Sequence, residues 1–301
     1  MKRKMISILK NLAHGPLAPV AYVLIQVLTA TQYIWLSLLW RIKGKGRPSE
    51  AEQRLVVENV TFLYKSFQRQ RLAKRLYRNL QRYYPGIRVI IADDSEKPLN
   101  LSGPGLEVVQ LPFNSGLSYG LNRALEKVAT PFVVRLDDDE LLTPISGIHK
   151  QLEFLRNHPE VDIAAVMPLS LPTKKSLREM AGYYFGNDMS DAPKKLRIPH
   201  GTYIDESHVV LGKVPNIFVA RTEKLRAVGY DDNIRMMDHN EFFFRAAGVL
   251  VSVLDYSCAV LHYHNRFNKA YQKYREDVNR DRQYIFLKHY AGGAWRNGRI
   301  Q

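Results

Sequence analysis

Val134-Arg135-Leu136-Asp137-Asp138-Asp139-Glu140-Leu141-Leu142 sets three consecutive carboxylates where a hydrophobic strand ends. Such groups repel one another unless a cation or a proton shares the charge. Open α/β folds place ligand-binding groups in the crevice outside the carboxyl ends of their strands. A second acidic strand end lies upstream, Val89-Ile90-Ile91-Ala92-Asp93-Asp94-Ser95. Together they predict one α/β fold holding a metal and a polar, phosphorylated ligand. The competing reading is ordinary helix caps and solvated turns.

Outward from these two points the pattern alternates between strand and helix. Val56–Leu63 reads as a first strand, after a basic linker from Gly44 to Glu52. Residues 69–83 place Leu72, Leu76 and Leu80 four apart, as on one face of a helix that Pro85-Gly86 stops. Arg88–Ala92, Leu106–Leu111 and Phe132–Leu136 read as strands, and Ser118–Lys127 and residues 147–157 as helices. Ile163–Met167, Asn216–Ala220 and Leu250–Leu254 add strands, Glu241–Ala247 a helix, and Cys258–Leu261 a further strand-like run. This order predicts an α/β sandwich with a mostly parallel central sheet. Residues 172–212 give no clear period, and Lys269 to Tyr290 read as a basic helical arm.

Composition narrows the class. The chain has 301 residues, 46% apolar and 24% charged, which is globular usage. A single cysteine, Cys258, excludes a disulfide framework and any cysteine-rich metal site. With 44 Lys plus Arg against 29 Asp plus Glu, the surplus suits nucleic acid, anionic lipid or a phosphorylated substrate. Residues 15–40 carry no formal charge and lie between Lys2, Arg3, Lys4, Lys10 and Arg41, Lys43, Lys45, Arg47. The run is long enough to span a bilayer, which takes about 20 residues. Its near-equal basic flanks and its Gln26, Thr29, Thr31 and Gln32 suit an interfacial or re-entrant segment with both ends on the cytoplasmic side. The division expected is a membrane-associating segment over 1–47, a catalytic domain over 48–265 and a basic arm over 266–301.

Five motifs in order carry a family resemblance: Arg88–Ser95, Asn114-Ser115-Gly116-Leu117-Ser118-Tyr119-Gly120-Leu121-Asn122, Leu136–Asp139, Asn216-Ile217-Phe218-Val219-Ala220-Arg221-Thr222 and His239-Asn240-Glu241-Phe242-Phe243. Over roughly residues 55–265 the chain resembles the inverting GT-A glycosyltransferases of the family 2 type, nearest to the ganglioside-type β-1,4-N-acetylgalactosaminyltransferase subgroup. The resemblance implies a UDP-sugar donor, with UDP-GalNAc, UDP-GlcNAc and UDP-galactose as candidates. It further implies that Asp94, with Asp93 as runner-up, faces the uracil, and that Thr61, Lys65, Gly116 and Asn122 join the donor site. By the same resemblance Asp139 is expected to be the direct ligand of Mn²⁺ or Mg²⁺, assisted by Asp137, which would face the ribose or sugar, and by His264. Asp138 is expected to bind the donor sugar or to tighten the turn, and strand alternation puts His262 on a face with His264.

Inverting transfer also needs a general base opposite the leaving diphosphate. The family's usual carboxylate pair corresponds here to Met237-Asp238-His239-Asn240-Glu241, with His239 where an Asp is usual. Glu241, then Asp238, then His239 are the candidates, and the bland reading is a cap with Asp238 at the N-cap and Glu241 three residues on. The partners implied are a glycan or lipid-linked acceptor and an anionic membrane, with no nucleic acid, at the cytoplasmic face of a bacterial inner membrane. A metal-dependent nucleotidyltransferase and a noncatalytic basic membrane-binding protein are the alternatives.

Overall fold

The computed structural model describes residues 18–263, 274, 278–290, 295–296 and 299–300. Helix α1 (Ala18–Ile42) comes first, and the basic residues up to Lys10 lie outside the described residues. Next is α2 (Glu50–Asn59), where the sequence reads as linker and then strand. The reason is local. Ser49 and Glu52 form a capping box, Glu50 and Glu52 favour the positive helix end, and the helix takes Val56 with it.

The remaining elements run β1 (Val60–Ser66), α3 (Gln70–Tyr83), β2 (Arg88–Asp93), β3 (Leu106–Gln110), α4 (Leu117–Glu126), β4 (Phe132–Arg135), β5 (Glu140–Leu141) and α5 (Ile148–Asn157). They continue with β6 (Ile163–Ser170), α6 (Leu177–Phe185), β7 (His208–Val210), β8 (Phe218–Arg221), α7 (Thr222–Val228), α8 (Asp238–Ala246), β9 (Ser252–His262) and α9 (Val278–Tyr290). A second capping box, Ser176 with Glu179, starts α6 inside the stretch that shows no period in sequence.

Nine strands form one sheet in the order β3-β2-β1-β4-β8-β6-β9-β5, with β7 also on β9. The β3-β2-β1-β4 half is parallel. Beyond it β8 runs antiparallel to both neighbours, and β6 and β9 are parallel to each other. Alternation along the strands feeds two cores. Phe62, Tyr64, Val89 and Ile91 face α2, α3 and α5, whereas Leu63, Ile90 and Ala92 face α4, α7 and α8. Burial on both faces explains why these strands read as continuous apolar runs. The topology also sends the carboxyl ends of β1, β2, β4 and β9 and the start of β8 to one edge of the sheet.

Candidate active site

A cleft of about 320 Å³ opens at that edge, lined by Lys65, Phe67 and Arg69 at and beyond the end of β1, Arg135 and Asp137–Asp139 at and beyond the end of β4, and Asn216 before β8. Arg235, Met236, Asp238 and His239 close one side, and His262 and Tyr274 another. Phe67 stands edge-on to Tyr274 with ring centroids 4.9 Å apart, an aromatic wall beside the cationic Lys65.

The three carboxylates have different surroundings. Asp138 is buried and ion-paired to Arg69, and among the described residues its Oδ2 accepts no hydrogen bond. Burial pushes its carboxyl up to about 7; Arg69 opposes this, while Asp139 and Asp137 add to it. Asp139 lies 3.0 Å from Arg69 and 3.6 Å from His262. That last distance follows from strand pairing, because Glu140 opposes His262 and the Tyr263 amide donates to the Asp139 carbonyl. Asp137 is partly exposed and pairs with Arg135 at 3.0 Å.

Oxygen-rich groups of this kind suit a hard divalent cation, and the unsatisfied Asp138 oxygen is the kind of donor such an ion would engage. Among the described residues no three His, Cys, Asp or Glu side chains already converge at ligand spacing. His264 lies outside the described residues.

Asp93 and Asp94 divide the second acidic strand end between them. Asp93 accepts from Ser95 Oγ at 2.6 Å and the Leu99 amide at 2.7 Å, pinning the loop that follows. Asp94 is fully buried and joins Lys65 at 2.5 Å to the Gly116 amide at 3.1 Å. It therefore reaches the cleft through Lys65, with both of its oxygens engaged. Close backbone approach explains the two glycines. Gly116 has φ +108°, with Arg235 Cγ 3.2 Å from any added Cβ, and a Cβ on Gly120 would sit 2.9 Å from Lys65 Cδ.

Two expected donor contacts lie elsewhere. Thr61 is at the opposite end of β1 from the cleft, its hydroxyl 2.8 Å from that of Thr130. Asn122 faces away along α4 and clasps Tyr230 and Asp232, at 2.7 and 2.6 Å.

The helix start at 238 separates the three candidate bases. The N-cap position is Met237 and has no side-chain cap bond, so the capping arrangement expected of Asp238 and Glu241 is not formed. Asp238 is 3% exposed, lines the cleft and sits 3.5 Å from Arg135 Nη2. Burial raises its carboxyl to about 6; Arg135 opposes the rise and Asp137 adds to it. His239 donates from Nε2 to the Val214 carbonyl at 2.7 Å, and burial lowers it to about 3, so it is a neutral, weakly basic imidazole. Glu241 faces away from the cleft and accepts from Arg245, Lys288 and His289 at 2.6, 3.1 and 3.1 Å. Burial acts to raise its carboxyl, but Arg245 and Lys288 outweigh that and hold it low.

Residues missed in sequence complete the arrangement. Arg135 is buried and donates to the Asn216 carbonyl at 2.8 Å, bridging Asp137 and Asp238. An arginine within an apolar strand was a readable signal, because a buried guanidinium must be paired. Buried Lys213 donates to Asn240, and burial lowers it to about 8 against the pull of Asp238. Asp281 on α9 gave no local signal. It is 1% exposed and accepts the backbone amides of Arg235, Met236 and Met237 at 3.1, 2.7 and 3.1 Å.

Helix α9 therefore shapes the loop leading into Asp238. Asp281→Ala is expected to release it. Hydrogen bonds to a charged group are worth about 1.5–3 kcal/mol, so amide exchange at 235–237 should quicken by about tenfold to a hundredfold. Unchanged exchange there would mean that the loop holds its shape without α9.

Residues 62–204 match the glycosyl transferase family 2 profile. Over 212 residues the chain is 32% identical to human beta-1,4 N-acetylgalactosaminyltransferase 1, covering 70% of this chain and 40% of that protein. The mouse counterpart is 32% identical over 203 residues, or 64% of this chain and 36% of that protein. The chain thus spans about two fifths of the length of these relatives. Among solved structures, S. aureus TarS 1–349 in complex with UDP-GlcNAc has a TM-score of 0.55 at 13% identity, over 76% of this chain and 66% of that one. The mannosyltransferase PcManGT from Pyrobaculum calidifontis, in complex with GDP-Man and Mn2+, has a TM-score of 0.52 at 15% identity, over 91% and 77%. The acidic edge of the sheet thus sits on a GT-A fold, and the segment that builds most of it, residues 62–204, is a glycosyl transferase family 2 domain.

Proposed function

We propose that the protein is a metal-dependent inverting glycosyltransferase that moves an N-acetylhexosamine or hexose from a UDP-sugar to a hydroxyl of a glycan or lipid-linked acceptor. The observation that carries this reading is Asp238, a buried carboxylate of raised basicity facing the same cleft as Asp137–Asp139. The names of the N-acetylgalactosaminyltransferase relatives and the UDP-GlcNAc complex of TarS support the donor class.

In this reading Asp139 and Asp137 hold Mn²⁺ or Mg²⁺, with His264 as a further ligand. The cation when bound neutralises charge on the leaving diphosphate. Lys65, Arg69 and Arg235 bring fixed positive charge to the same end. Asp238 takes the acceptor hydroxyl proton as that oxygen forms its bond to the anomeric carbon. The bond from that carbon to the diphosphate breaks, and its electron pair leaves with UDP. Neutral His239 fills the adjacent wall, and Arg135 fixes the orientation of Asp238. The protein works at the cytoplasmic face of the inner (plasma) membrane, attached through α1, the one described helix long and apolar enough to cross a bilayer.

Thermal shift tests the donor assignment. Saturating UDP with Mn²⁺ at about 100 Kd adds about 2.7 kcal/mol, which raises Tm by about 5–10 °C for a domain of this size. ADP and GDP with the same ion should do less, and UDP alone should give a smaller shift. An equal response to all three nucleotides would sink the UDP-sugar reading.

A further inference from the structure

Helix α1 is amphipathic in the inverted sense. Two of its polar side chains face the protein: Thr29 Oγ1 donates to the Leu171 carbonyl at 3.3 Å, and Gln32 exchanges hydrogen bonds with the Thr173 backbone at 2.6 and 2.8 Å. Trp40, 8% exposed, anchors the same stripe, with Tyr33 edge-on to it and Leu36 packed against the core. The opposite stripe is apolar apart from Thr31. Val20, Val23, Leu24, Val27, Leu28, Ile34, Trp35 and Leu38 are each more than half exposed along its length. A helix that hides amide and hydroxyl groups and presents apolar ones has its energetic preference reversed from that of a water-facing helix. The exposed cations Lys174 and Lys175 flank the stripe, and Arg41, Lys43 and Lys45 follow its end.

We propose that α1 lies along the surface of an anionic lipid bilayer, its exposed stripe seated at the acyl boundary, and that it does not cross. This rests on the membrane attachment in the reading above and specifies its geometry. Length alone allows a span, since 25 residues at ~1.5 Å each exceed the ~30 Å hydrocarbon core. The apolar window Tyr22–Ile42, however, contains the residues that the domain holds. To place it in hydrocarbon on all sides, the three hydrogen bonds at Leu171 and Thr173 must break and Trp40 must leave its seat. Gln32 and Thr29 would then lie in lipid without those partners, which is costly. Seated flat, the helix keeps every one of those contacts and covers its apolar face. The lysines and the arginine beside it meet phosphate headgroups.

The full chain is tested on vesicles of phosphatidylcholine with 30% phosphatidylglycerol. Co-sedimentation is expected, at least tenfold weaker on pure phosphatidylcholine, and Leu24→Glu with Leu28→Glu should reduce it at least tenfold without changing Tm. Loss of co-sedimentation by the unaltered chain would overturn membrane attachment itself, while leaving the UDP thermal shift untouched. Orientation is read separately in a chain whose only tryptophan is Trp35, made by Trp40→Phe and Trp295→Phe. Bromines near the headgroup end of the acyl chains should quench it more than bromines near the bilayer centre. Strongest quenching from the centre would mean a crossing helix and overturn the proposal. A Glu pair that leaves binding unchanged would remove the stripe from the interface and overturn it equally.

Discussion

Asp238→Asn is expected to lower turnover by about a hundredfold or more at saturating donor, because it removes the proton acceptor and leaves the shape of the side chain. UDP affinity should barely change, since the group acts on the acceptor. The pH profile gives a second signature. A base works when deprotonated, so with its carboxyl raised to about 6, kcat should climb as pH rises through that value and level off above it. Asp238→Asn should abolish that acidic limb along with the rate. Glu241→Gln provides the contrast. Weakening a buried charge that holds Arg245, Lys288 and His289 should appear as a fall in Tm, with the cost of breaking such a pair reaching about 3–5 kcal/mol. The pH dependence of residual turnover should remain. Near-normal turnover in folded Asp238→Asn would remove Asp238 as the base.

The second large effect concerns donor binding. Asp139→Asn should weaken UDP binding in the presence of Mn²⁺ by about a hundredfold or more, judging from the 10–100-fold losses that even outer-shell changes cause at metal sites. Without metal, the variant and the unaltered protein should bind UDP alike. Arg69 makes the comparison informative, because it pairs with Asp139 and so competes with a cation for that carboxylate. Calorimetric titration of UDP with and without Mn²⁺ measures the coupling directly. Equally tight, metal-independent binding in the variant would place the ion elsewhere.

The parts of this site that lie on strand ends were legible in sequence. The acidic runs at 93–94 and 137–139 mark where β2 and β4 stop, and strand order alone brings them to one edge. What failed was helix phase. Three residues apart, Asp238 and Glu241 appear to share a side, yet they differ by about 60° around an α-helix. That difference sends one into the cleft and the other under α9. Helix α2 was missed although its Ser49–Glu52 capping box was in plain view, because the surrounding Pro, Gly and Lys residues read as linker. Strand β9 reads as two pieces because its register against β6 jumps from Asp255 to Ala259. Long-range pairs such as Arg135 with Asp238, or Asp281 with 235–237, have no periodic trace at all. They exist only once the sheet has brought distant segments together.

The position of α9 in the chain has a consequence for the order of events during synthesis. Emerging from the ribosome, α1 precedes every strand, and α9 follows all nine strands of the central sheet. The sheet and its acidic edge can therefore assemble on a nascent chain while Asp281 is still unmade and 235–237 is untethered. The strands are thus all present before the loop leading into Asp238 acquires its tether. A product of early termination that lacks α9 would therefore leave the 235–237 amides without the Asp281 carboxylate.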